Sequence, residues 1–243
     1  MRDSVRDAFV GFTAPLEGVV RWLYCDVKGL VSIGIGDLVD PIQLALNLPL
    51  VHPDGTPADR SEIAAEWLRI KNYPGAARGG HLLVQNAAKL RLTDDGVRNL
   101  VASKLNANDA FLAHRFPAYG SWPADAQLGI LSLAWACGPG FRFPKLQAAL
   151  EALDFDTAAV ECFMPEEATI SGLRPRNKAD ALLFRNAAAV MKLGLDPDTL
   201  YWPHDLANPL GPDDETLPEA TVHPLVDFAH PDLDDDEPPP EAA

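Results

Sequence analysis

Glu17, Asp26 and Ser32 follow one another as Glu, eight residues, Asp, five residues, Ser, within the Gly-punctuated stretch from Leu16 to Gly36. Two carboxylates and a hydroxyl can cleave a glycosidic bond. One carboxyl protonates the leaving oxygen, while the other, with the hydroxyl, holds a water on the opposite face of the sugar. A Glu near a helix end and an Asp opening a turn are common in any protein, so the surrounding elements decide what the trio means.

Val5, Phe9, Val10 and Phe12 recur at near-helical spacing. Thr13 and Pro15 predict a break or a new first turn. Gly18 fits the left-handed residue just past a helix end. Glu17 is then expected at a helix C-terminus, where the negative end of the dipole disfavours another negative charge. Asp26-Val-Lys-Gly29 reads as a tight turn, with Asp first and Gly last. Val31, Ile33 and Ile35 then alternate with Leu30, Ser32 and Gly34, which predicts a half-buried strand with Ser32 turned from its apolar anchors. Gly34 and Gly36 let another backbone or a ligand approach closely.

The rest of the body reads as helix. Residues 37–59 are a loop with a short helix. A helix starts at Asp59, where Glu62 completes a capping-box pattern, and runs to about Lys71. Another begins after Thr93 with Val97, Leu100, Val101 and Leu105. The most apolar covers Pro123 to Cys137 and stops at Gly138. Short helices follow at 144–153 and 156–163. The last runs from near Pro175 to Gly194 and buries Leu182, Leu183, Val190 and Met191.

The charge is not uniform. The chain has 243 residues and a net charge of −15, yet all 20 Lys and Arg lie within 1–192, which is near −1. Residues 193–243 hold 14 of the 35 acidic residues and 10 of the 22 prolines. A domain over 1–195 and an acidic, Pro-rich tail over 196–243 are expected, the tail disordered at least from 229. Leu195 to Phe228 keeps Tyr201, Trp202 and Leu206 and reads as a strap against the body. Such a tail argues against nucleic acid or an anionic membrane as partner. No apolar run approaches the ~18 residues of a membrane span, and the charged N-terminus is no secretory signal peptide. Cys25, Cys137 and Cys162 have no metal or redox spacing and read as reduced, buried thiols.

At this point the residues resemble a family. Glu17-Gly18, Tyr24, Asp26, Gly29 and the run from Ser32 to Gly36 are similar to the N-terminal motif of the phage-type lysozymes, glycoside hydrolase family 24. The run from Gln127 to Phe141 resembles that family's central helix and the Gly-rich turn after it. The segment from Gly172 to Phe184 resembles its final Gly-Leu-x-x-Arg helix. Together these cover about residues 5 to 192. The resemblance implies an α+β, lysozyme-like fold, mainly helical, with a small β-hairpin lobe and a cleft between two lobes. It implies Glu17 as general acid, Asp26 as second carboxylate and Ser32 in place of a water-positioning Thr. It also implies Gly36 at the substrate side and Arg176 beside Glu17 from the other lobe. Asp37 stands where the family usually has His, so an altered local ion pair is expected.

The implied activity is hydrolysis of the β-1,4 bond between N-acetylmuramic acid and N-acetylglucosamine by a monomer, with inversion and without metal or organic cofactor. Peptidoglycan strands are the expected partner, and the tail is a candidate to bind an immunity or carrier protein. An enzyme of this kind is made in the bacterial cytoplasm and reaches the wall through a holin, as an endolysin, or through a secretion machine, as an effector. Two other readings stay open: a lytic transglycosylase on the same fold, and a catalytically silent wall-binding or phage-structural protein.

Rival chemistry is weaker. Gly34-Ile-Gly36 lacks the third glycine of a dinucleotide fingerprint, since Val39 takes its place. Cys25 adjoins Asp26, but His52, His81 and His114 lie in no peptidase motif, and strand alternation turns the thiol away from Asp26. The six histidines have no zinc spacing, and His204, His223 and His230 fall in or near the tail.

Overall fold

A computed structural model describes residues 1–165 and 173–208 of the chain. The expected disorder from 229 lies outside the described residues. The fold is α+β, mainly helical with a small antiparallel sheet. No helix among the described residues is long and apolar enough to cross a membrane.

The first helix, α1 (Asp3–Glu17), runs unbroken through Pro15. The expected break at Thr13 and Pro15 is absent. Proline removes one backbone donor, but Val5, Phe9, Phe12 and Thr13 are buried and hold the helix together. Gly18 ends it with φ 74° and ψ 166°, a positive-φ conformation outside the left-handed helical region. Its N–H still bonds to the Ala14 carbonyl at 2.9 Å.

Three strands follow, β1 (Val20–Cys25), β2 (Val31–Gly34) and β3 (Asp37–Leu38), in the order β1-β2-β3 and antiparallel. Tyr24 pairs with Ser32 and Cys25 with Val31, after a register irregularity between Val20 and Tyr24. All four residues of β2 are buried, so the strand is not half-buried as alternation implied. Two helices, α2 (Arg60–Lys71) and α4 (Asp94–Arg115), pack on β2. The turn is fastened from α2: Lys71 donates to the Gly29 carbonyl at 2.7 Å and to Asp40 at 2.5 Å, and Asp40 accepts from the Val31 N–H at 3.1 Å.

Helix α2 starts where the capping pattern predicts. The Asp59 side chain accepts from the N–H groups of Ser61 and Glu62, and Glu62 accepts from the Asp59 N–H. Two elements carried no readable sequence signal: α3 (Ala76–Val84), bent at Gly80, and a second small sheet of β4 (Leu50–Val51) and β5 (Arg91–Leu92). Thr93 caps α4 by accepting from the Gly96 N–H at 3.0 Å.

The centre is α5 (Ala124–Cys137), in which every residue from Ala124 to Trp135 is buried. It is surrounded by α1, α4 and α8 (Leu173–Leu193), with α6 (Pro144–Glu151) and α7 (Phe155–Glu161) packed beyond. Cys25 and Cys162 are buried as expected, but Cys137, at the helix end, is exposed. Met191, expected inside, is also exposed.

The strap is real as far as Asn208. Asp125, fully buried on α5, accepts from the N–H groups of Tyr201 at 2.9 Å and Trp202 at 3.0 Å. Asn186 of α8 donates to Asp125 at 3.0 Å and accepts from the Leu206 N–H at 3.0 Å. Trp202 then stands edge-on to Phe12, 5.1 Å between ring centres.

Candidate active site

Glu17 is the last residue of α1, and its carboxylate is about one quarter exposed. From α8, Arg176 reaches it: Nη2 lies 2.5 Å from Glu17 Oε1. Arg176 is itself 2% exposed, and its Nη1 donates to the Ser132 hydroxyl at 2.8 Å and the Ser132 carbonyl at 3.2 Å. The guanidinium thus bridges the buried face of α5 and the tip of α1. Its planar fork serves Ser132 from one nitrogen and Glu17 from the other, which the single nitrogen of an ammonium cannot do.

Gly36 closes the site from the sheet. Its φ is 70°, and a Cβ placed there would lie 3.7 Å from Glu17 Oε2. Gly34 has a different duty. A Cβ on it would meet Asp37 Oδ2 at 2.9 Å and Leu100 at 3.1 Å, so the bend depends on its lacking a side chain.

Asp26 follows β1 in the tight turn. Its Oδ1 accepts from the N–H groups of Lys28 and Leu30, both at 2.8 Å, which fixes the carboxylate plane. Its Oδ2 has no protein partner among the described residues. Ser32 pairs with Tyr24 across the ladder and is 6% exposed. Pairing and strand parity put Tyr24, Asp26 and Ser32 on one side of the sheet. Burial first, then the charges of Glu17, Asp26 and Asp37, push the Tyr24 phenol up to about 12. Glu17 and Arg176 therefore touch directly, with Gly36 against Glu17, and Asp26 and Ser32 lie on the Tyr24 side of the sheet.

Asp37 forms the ion pair expected in altered form. It is buried, lies 3.7 Å from Lys104 of α4 and accepts from the Ile35 N–H at 3.3 Å. Lys104 sits 3.9 Å over the Trp135 ring, whose Nε1 donates to the Ile35 carbonyl at 3.1 Å. Burial pushes Asp37 up and Lys104 down; each partner's charge opposes the shift of the other. Lys104 and Trp135 escaped the sequence reading. Their only signal was a Lys beside the buried Leu105 and a Trp in an apolar helix.

The thiol of Cys25 lies 3.6 Å from the Ile70 carbonyl and is pushed up chiefly by burial, as suits an inert group. A separate depression of about 660 Å³ is lined by Phe111, His114, Arg115, Arg142 and Glu151, and shares no residue with the Glu17 cluster. Arg115 there is a strut, donating to the carbonyls of Pro139 and Phe141, both at 2.9 Å.

No protein-family model and no curated protein matches this chain at a significant level.

Proposed function

We propose that the protein is a muramidase with a lysozyme-like fold, in which the sheet and the helical body flank the substrate cleft. It would hydrolyse the β-1,4 bond between N-acetylmuramic acid and N-acetylglucosamine. The observation that carries this reading is the 2.5 Å contact between Glu17 and Arg176, residues 159 apart in the chain. A buried guanidinium brought across the molecule to a partly exposed carboxylate orients a group meant to meet a ligand.

In this reading Glu17, protonated, gives its proton to the glycosidic oxygen. Asp26 Oδ2 takes a proton from a water on the opposite face of the sugar. Ser32 has no protein partner for its hydroxyl among the described residues, so it can hold that water. Attack opposite the leaving group inverts the anomeric carbon. Gly36 leaves room for a sugar against Glu17. Tyr24 stays neutral at working pH, because burial and the charges of Glu17 and Asp26 push its phenol up to about 12.

Delivery to the wall through a holin or a secretion machine belongs to the same proposal. The acidic tail is then a candidate to dock on a carrier or an immunity partner.

Purified peptidoglycan, digested with the wild type and with Glu17→Gln, tests the reading. The wild type is expected to release reducing N-acetylmuramic ends. Glu17→Gln is expected to lose on the order of a hundred-fold in rate, the loss of a general acid. Anhydro ends would make the protein a transglycosylase. Equal clearing by both forms would remove Glu17 from the chemistry.

A further inference from the structure

Arg176 has a second carboxyl within its reach. Asp180 follows it by one turn of α8 and has no exposed surface at all. Neither of its carboxyl oxygens has a well-formed hydrogen bond. A buried carboxyl so weakly partnered is costly, and a structural role would ordinarily supply full hydrogen bonds. One cation thus acts on two carboxyls, on Glu17 by direct contact and on the buried Asp180 through its charge.

We infer that Asp180 is a positioning residue for Glu17 that acts through Arg176. Its carboxyl is the alternative counter-ion that takes over the guanidinium charge when Glu17 is protonated. The inference rests on the reading of Glu17 as the acid.

The physical case is one of charge balance. With Glu17 ionised and held by Arg176, an ionised Asp180 would be a second negative charge in a dry site, so it keeps its proton. A general acid must be protonated, however, and Glu17 must be so beside this same guanidinium. Once Glu17 gains a proton, Arg176 loses its counter-ion. Asp180 then gives up its proton and restores the pair. The proton gained at Glu17 and the one lost at Asp180 exchange with water, and the cluster carries one proton before and after.

The surroundings suit this exchange. Burial pushes Asp180 up to about 7, while the Arg176 charge and Ser132 pull it back. Ser132 of α5 accepts from Arg176 and keeps its own hydroxyl proton to offer. From the α7 side, the Cys162 thiol is pushed up to about 12, by burial and then by Asp180, and stays neutral. Glu17 of α1 meets Arg176, and the Lys104 charge of α4 is felt by Glu17 and Arg176. Arg185, further along α8, acts on Cys162. Arg176 is therefore the cation through which Asp180 and Glu17 communicate.

A carboxyl-carbon NMR titration of the full chain, wild type against Glu17→Gln, tests the linkage without any sugar. With Gln at 17 the guanidinium has one carboxyl left, so the Asp180 midpoint is expected to fall by about one pH unit or more. An unchanged midpoint overturns the inference. On peptidoglycan, Asp180→Asn is expected to lower kcat about ten-fold with KM unchanged, and to move the alkaline limb of the pH profile to lower pH. A profile identical to wild type overturns it as well. Should Asp180→Asn fail to fold, the titration decides alone. If the wild type cleaves no wall, the muramidase reading falls and takes the catalytic role of Asp180 with it. If the wild type cleaves and the midpoint ignores residue 17, only the Asp180 inference falls.

Discussion

Arg176 can be separated from its charge by one substitution. Lysine keeps the cation but cannot reach Glu17 and both Ser132 acceptors together. A buried acceptor left unmet costs about 1–3 kcal/mol, and Glu17 would lose the contact that orients it. Arg176→Lys is therefore expected to lower the rate of wall hydrolysis about 10–100-fold and to lower the melting temperature measurably. A variant as active as wild type would show that charge alone suffices. Glu17, Asp26 and Ser32 were singled out by residue type and spacing, and Gly36 and Arg176 by the family resemblance; the contact of Arg176 with Glu17 is what the structure adds. Asp180, Lys104 and Trp135 were not legible in the sequence, because each works by burial and by contact with other elements. A Lys next to Leu105 reveals neither that it lies over Trp135 nor that it faces Asp37.

Helix existence was legible wherever a cap and an apolar stripe agreed, as at Asp59 and Thr93. The exceptions have physical causes. Pro15 and Thr13 read as a break, but three buried aliphatic and aromatic side chains outweigh one missing bond. Helix α3 carries Gly79 and Gly80, which local propensity counts against a helix, yet it forms by packing on β1. Strand β2 looked half-buried because alternation cannot register that α2 and α4 both pack on it. The α5–α8 contact offers a test of how tight that packing is. A Cβ on Gly129 would meet the buried Phe184 ring at 3.2 Å and Leu183 at 3.4 Å. Alanine gains about 1 kcal/mol of helix propensity there, but crowding a filled core costs about 1–3 kcal/mol. The ring is fully buried and has nowhere to move. Gly129→Ala is thus expected to destabilise by about 1 kcal/mol net in urea unfolding, whereas a gain in stability would mean that α8 shifts to make room.

The whole molecule carries two opposed sets of carboxyls. Asp40, Asp54, Asp59 and Asp154 are held below the usual range by hydrogen bonds, first from Lys71, Thr56, Ser61 and Thr157 respectively. Their contribution is present above about pH 4 and is lost as pH falls further. Asp37, Asp125 and Asp180 are pushed the other way by burial, Asp180 to about 7. Between about pH 4 and 7 the folded chain holds protons that the unfolded chain has released, so stability falls as pH rises through that window. For Asp180 the loss is on the order of a few kcal/mol, complete above its folded value. Stability is accordingly expected to peak near pH 4–5, with a higher melting temperature at pH 5 than at pH 8. Asp180→Asn removes the largest member of the second set and should narrow that gap by several degrees, at about 2–4 °C per kcal/mol for a domain of this size. The comparison of gaps cancels any pH-independent cost of the substitution. A gap of wild-type width in Asp180→Asn would mean that the Asp180 carboxyl is already ionised at pH 5, with Arg176 shared between two carboxylates rather than passed from one to the other.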